Sequence, residues 1–115
     1  MEIQHLAIKE EWLTAVAAGS YERSTRGASL AEVGFIHMSL PSQLPRVAAF
    51  VYADCTDELV VASFDLETIV LSGTEVRFED GGTGELFPHV YGPLQPSWAT
   101  EVRDARMASG ALVID

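Results

Sequence analysis

The chain has 115 residues, 48% of them hydrophobic, with 17 acids against 7 bases and a net charge of −10. That length and apolar content make one domain with a real buried core. The acidic balance argues against a nucleic-acid or anionic-membrane surface, since both need basic patches, and no apolar run reaches the ~18–20 residues of a membrane span.

Glu2 to Ala7 alternates as a strand, with Ile3, His5 and Ala7 on one face. The start carries neither the basic nor the apolar region of a signal peptide. Lys9 to Ala18 has helical spacing: Trp12, Leu13, Val16 and Ala17 form a stripe, and Gly19 supplies the stop. Gly19 to Ser29 reads as a loop. Its Arg23 and Arg26, among several hydroxyls, suit either a solvated loop or a phosphate contact. Ser29 and Glu32 form a capping box for a short helical turn that Gly34 ends. Ser42 is placed to cap a helix from Gln43 to about Tyr52, with Leu44, Val47, Ala48 and Val51 at helical spacing. Pro45 then falls in the first turn, where no intrahelical N–H bond is lost.

Cys55 is the one cysteine and sits in the polar turn Asp54–Glu58. It rules out an internal disulfide, fits a reducing compartment and hence a cytoplasmic location, and is read as functionally inert. Leu59 to Phe64 is almost wholly apolar, which suits a central strand buried on both faces. Asp65 to Leu71 reads as a connector with room for a helical turn. Glu75 to Phe78 alternates as a half-exposed strand, and Glu79 to Gly84 is an acidic, glycine-rich turn. Trp98 to Arg103 and Ala111 to Ile114 read as the last strands. There is no βαβ rhythm, no dinucleotide fingerprint and no phosphate-binding loop. The expected fold is α+β, a single domain over 1–115 with mostly antiparallel strands and two main helices.

Two stretches concentrate the polar chemistry: Gly34-Phe35-Ile36-His37-Met38-Ser39 and Gly84-Glu85-Leu86-Phe87-Pro88-His89-Val90-Tyr91-Gly92. In a strand, residues two apart share a face. Phe35, His37 and Ser39 therefore face one way, as do Phe87, His89 and Tyr91. The two mixed faces are expected to meet in one pocket, where Ser39, His37, His89 and Tyr91 hydrogen-bond a polar ligand. Imidazole donates at one nitrogen, accepts at the other and titrates near neutrality, so it also suits acid–base work. Glu85 is the only acid inside either stretch and is a candidate base or ribose contact. The close histidine pairs usual in zinc sites are missing, so no metal ligand is assigned. A histidine-based metal-dependent hydrolase stays as the second alternative. No nucleophile elbow surrounds Ser39, so a serine triad is not supported.

These motifs, Gly34-Phe35-Ile36-His37-x-Ser39 and Phe87-Pro88-His89-x-Tyr91-Gly92-Pro93-Leu94, resemble the paired motifs of a small bacterial family, domain of unknown function 952. The opening Ile3-Gln4-His5-Leu6-Ala7 followed by Trp12 is similar to that family's start. The likeness runs from about Ile3 to Val102. The family has been grouped with the ADP-ribosyltransferase-like fold, a split pair of small sheets around a nicotinamide-dinucleotide cleft. The resemblance implies that His5 meets the cofactor's ribose and that His37, Ser39, His89 and Tyr91 line the cleft. The enzymes of that group carry a late glutamate, for which Glu85 is the nearby candidate. The expectation is a small-ligand protein, an ADP-ribosyltransferase-like enzyme using NAD, with His37, His89 and Glu85 catalytic. His5, Ser39, Phe87, Tyr91, Arg23 and Arg26 are the expected ligand contacts. A non-catalytic nucleotide- or metabolite-binding module is the first alternative.

Overall fold

The computed structural model describes residues 1–115. Its strands are β1 (Glu2–Ile8), β2 (Arg23–Thr25), β3 (Ala28–Ser29), β4 (Ile36–His37), β5 (Leu59–Asp65), β6 (Glu75–Asp80), β7 (Leu86–Tyr91), β8 (Ala99–Ala108) and β9 (Ala111–Ile114). Its helices are α1 (Lys9–Ala18), α2 (Leu30–Val33), α3 (Leu44–Val51) and α4 (Leu66–Leu71). All strand pairs are antiparallel. They form a sheet of order β1-β5-β8-β9, a second of order β4-β7-β6, and the ribbon β2-β3.

β5 lies inside the larger sheet, and Leu59 to Phe64 are all buried. Alternate residues feed two cores. Val60, Ala62 and Phe64 join Ile3, Ala7, Trp12 and Ile69 on one face; Leu59 and Val61 join Leu6, Leu44, Ala48 and Tyr52 on the other. A strand covered on both faces needs such a continuous apolar run. The smaller sheet docks on the first core through Ile36, Met38 and Val90. The period of two then sends His37, Phe87, His89 and Tyr91 to its other side.

Several local readings change. The buried face of α1 is Trp12 and Ala15, while Leu13, Val16 and Ala17 of the expected stripe are exposed. Gly19–Ser29 is not a plain loop: Arg23–Thr25 pairs with Ala28–Ser29 around Gly27, whose φ of 73° suits glycine. β6 runs on to Asp80, because Asp80 Oδ1 accepts the amides of Gly82 and Gly84 and closes the hairpin just beyond the strand. α3 begins at Leu44 without a side-chain cap from Ser42. Gln43 instead accepts the Leu40 amide and donates to Glu85 and to the Leu86 carbonyl. β4 stops at His37, because Ser39 crosses to exchange two backbone hydrogen bonds with Gln4. No helix is long and apolar enough to cross a membrane.

Candidate functional site

β4 and β7 set His37 directly opposite His89. Directly opposed side chains on one sheet face touch. Here His37 Nδ1 lies 3.3 Å from His89 Nε2, with ring centroids 5.3 Å apart. The other nitrogen of His89, Nδ1, is 2.9 Å from Glu79 Oε1, and the Tyr91 hydroxyl donates to that same oxygen. Glu79 reaches them because β6 pairs it with Phe87, one step diagonal from His89. Phe35 stacks flat on His89, centroids 4.0 Å apart at 15°. Arg77 lies over the Tyr91 ring at 4.5 Å and is paired with Glu75.

A cleft of about 490 Å³ opens beside this chain of contacts. Ser24 and Thr25 of β2, His37, Arg46, Val47 and Phe50 of α3, and Thr83, Glu85 and Phe87 line it, with Val33 and Phe35 nearby on the wall. Gly81 also lines it, and a Cβ there would stand 2.7 Å from the Phe87 ring. Glycine thus lets Phe87 close that end. Phe50 is 90% exposed at the rim. His89 engages His37 Nδ1, whereas His37 Nε2 has no partner in the protein. Burial first, then the neighbouring His89, holds the His37 pKa down at about 4, so the ring is neutral at pH 7. Glu79 is held below the usual carboxylate range by the Tyr91 hydroxyl and then by His89, and the Tyr91 hydroxyl is raised in turn by Glu79.

Several residues expected at this site lie elsewhere. His5 is 2% exposed, and both its nitrogens are satisfied: Nδ1 donates to the His37 carbonyl at 2.8 Å, and the Tyr21 hydroxyl donates to Nε2 at 2.8 Å. Burial lowers its pKa to about 4. It is a core residue, not a ribose contact, and the three histidines do not converge on one point. Ser39 does not line the cleft, because the chain leaves β4 to pair it with Gln4; it borders a separate small cavity of about 10 Å³ together with His5 and His37. Arg23 is 3.2 Å from Glu11, and Arg26 is held by Asp54 at 2.6 Å and by the Val51 carbonyl at 3.0 Å. Neither lines the cleft, so neither is the phosphate contact expected of that stretch. Glu85 does line the cleft, but Arg46 grips both its oxygens at 2.9 and 2.8 Å and Gln43 adds a third bond. Arg46 first, then Gln43, pushes its pKa down to about 2, which makes it a poor base. Phe87 is on the cleft wall, 5.3 Å from His37. Tyr91 stands behind, on Glu79.

Three residues of the site were not expected. Glu79 had a signal: the alternation Glu75-Val76-Arg77-Phe78 continues one step further and puts Glu79 on the histidine face. Arg46 shares a helix face with Val47 and Phe50, which the stripe of Leu44, Val47, Ala48 and Val51 did not single out. Ser24 had none. It is fully buried, and its Oγ has no hydrogen-bond partner although the residue borders the cleft.

The fold and site thus define an α+β protein of two antiparallel sheets with a histidine-floored cleft. The chain belongs to the family described as protein of unknown function (DUF952), whose model matches residues 6–102. It is similar to protein CC0527 from Caulobacter crescentus: the crystal structure of that protein aligns with a TM-score of 0.82 at 28% identity, over 98% of this chain and 94% of that one. A double mutant of CC0527 aligns with the same values. No curated protein matches the chain.

Proposed function

We propose that the cleft binds an adenine or nicotinamide nucleotide, with His37 Nε2 as the central contact, on an ADP-ribosyltransferase-like arrangement of two small sheets. The observation that carries this reading is the chain Glu79–His89–His37, which ends in a cleft-lining histidine whose hydrogen bond to the chain uses Nδ1 and leaves Nε2 free. The other walls suit the parts of such a ligand. Phe35, Phe50 and Phe87 offer aromatic surface to a base, and Ser24, Thr25 and Thr83 offer hydroxyls to a ribose. Arg46 is the one cation lining the cleft, and it takes the phosphate role in place of Arg23 and Arg26 by exchanging its exposed pairing with Glu85 for the phosphate. Enzymatic action of this site is breakage of, or transfer from, the nicotinamide–ribose bond, with His37 as the proton-exchanging group.

A second reading, a non-catalytic nucleotide-binding module, is favoured by one observation. The only carboxylate lining the cleft is Glu85, which Arg46 holds. No untied acid is there to orient an acceptor. Calorimetric and thermal-shift titrations with NAD and AMP test binding. A hundredfold excess over the dissociation constant stabilises the native state by about 2.7 kcal/mol, and His37→Ala should abolish the effect. Silence of both methods at millimolar ligand removes the nucleotide reading. Release of nicotinamide from NAD by the native protein but not by His37→Ala decides between enzyme and module.

A further inference from the structure

We infer that Tyr91, Glu79, His89 and His37 form a proton relay, which makes His37 Nε2 a base toward a ligand hydroxyl and stores the proton on His89. The use of that base on a ligand rests on the nucleotide reading above; the relay itself does not. Glu79 and Tyr91 are positioning residues in it, since neither lines the cleft.

The direction of the relay follows from the partners. A carboxylate only accepts, so His89 Nδ1 carries the hydrogen shared with Glu79 Oε1. In neutral His89 the other nitrogen, Nε2, is then an acceptor, and His37 Nδ1 must donate to it. That leaves His37 Nε2 with a lone pair on the cleft side. A ligand hydroxyl that gives its proton to Nε2 lets the Nδ1 hydrogen of His37 pass to His89 Nε2. His37 ends neutral in its other tautomer, and His89 becomes an imidazolium. The ligand O–H and the His37 Nδ1–H break, N–H bonds form at His37 Nε2 and His89 Nε2, the ligand oxygen keeps the electron pair as an oxyanion, and nothing is oxidised or reduced. The product charge is well placed: His89 is buried, so its cation needs a partner, and Glu79 sits 2.9 Å away. Phe35, stacked on the ring at 4.0 Å, adds an aromatic face for the cation. Tyr91 holds Glu79 in place from the other side.

Charged and titratable groups surround the pair on every side. Glu79 and Arg77 come from β6, Tyr91 from β7, Arg46 from α3, and Glu85 from the turn before β7. His5 meets the His37 backbone from β1. Arg46 and Glu85 pair with one another, as do Arg77 and Glu75, so Glu79 is the one carboxylate directed at the histidines.

Imidazole nitrogen NMR on the ligand-free protein tests the relay without any nucleotide. At pH 8 the shifts should show hydrogen on Nδ1 of both histidines and none on Nε2. Glu79→Gln should lower the pair's midpoint by at least one pH unit, a tenfold loss of proton affinity. Tyr91→Phe, which leaves Glu79 a less satisfied and more basic neighbour, should raise it. Opposite shifts from the two variants support the relay; equal or absent shifts overturn it. Hydrogen on His37 Nε2 at pH 8 overturns it as well. A correct tautomer pattern with no nucleotide bound leaves the relay standing and removes only the nucleotide reading.

Discussion

His5 and His37 are joined through one hydrogen bond, and burial holds both neutral at pH 7 with pKa values near 4. Their surroundings nevertheless differ in the way that decides function. His5 has a carbonyl on one nitrogen and a hydroxyl on the other, and the sheet and Tyr21 close over it. His37 has one nitrogen tied and one open to a cleft. A polar group that is fully satisfied inside a protein specifies the fold, while one left with an unused acceptor at a pocket wall is available to a ligand. Strand position alone does not separate the two; His5 is buried and His37 only partly so, and the partners of each nitrogen complete the distinction.

The comparison presupposes a common platform, and removing that platform gives the largest expected effect. β5 supports His5 through the pair His5↔Ala62 and separates the two cores. Val61→Asp would bury an unpaired carboxylate in the second core and should cost at least ~4 kcal/mol, enough to unfold a marginal domain. Circular dichroism and a melting curve check it. A variant that melts within a degree or two of the parent would mean that β5 is not the covered interior strand.

The two histidines should next part in their variants. His5→Ala removes a buried ring and leaves the Tyr21 hydroxyl and the His37 carbonyl without partners, so a loss of about 3 kcal/mol is expected. His37→Ala leaves only His89 Nε2 without a partner and should cost about 1 kcal/mol while abolishing ligand binding. The acid limb sharpens this further. A histidine whose folded pKa lies below its unfolded value of about 6.5 contributes stability that is intact above pH 6.5 and is lost as pH falls toward 4. Each of the two should cost roughly 3 kcal/mol across that window. His5→Gln removes one titration and should halve the loss between pH 6.5 and 4 in urea melts. Carboxylates such as Glu85, held near 2, lose their contribution below pH 4.5 and so fall outside most of the window. An unchanged acid limb in His5→Gln would show that His5 is not held neutral by the core.

Parity was legible in the sequence, and partners were not. The alternation in Phe87, His89 and Tyr91 placed those side chains on one sheet face, and the unbroken apolar run of Leu59 to Phe64 marked the covered strand. Ser39 broke its parity because a backbone bridge to Gln4, a contact between distant parts of the chain, drew it out of β4. Arg23, Arg26 and Glu85 carry the right charges, but Glu11, Asp54 and Arg46 reach them first in space. Local spacing fixes which way a side chain points. Which opposite charge meets it depends on tertiary packing, and in this acidic chain Arg23, Arg26, Arg46 and Arg77 each find an acid.

The smallest effect comes from the residue that no spacing marked. Ser24 is fully buried, its Oγ lacks a partner, and it borders the cleft. Like His37 and unlike His5, it has a polar atom that no protein group engages, but here the atom is buried. A buried hydroxyl without a hydrogen bond is a cost to the fold, on the order of 1 kcal/mol or more. Ser24→Ala deletes that oxygen and little volume, so the melting temperature should hold or rise slightly, by up to about 1 kcal/mol in stability. If the hydroxyl is kept for a ligand, the same variant should weaken nucleotide binding by about 0.5–1.5 kcal/mol, the net worth of one hydrogen bond. That is a several-fold rise in the dissociation constant by calorimetry. Stability and affinity then move in opposite directions, which a purely structural serine does not produce. A drop in melting temperature with unchanged affinity would instead place Ser24 beside His5, as part of the core.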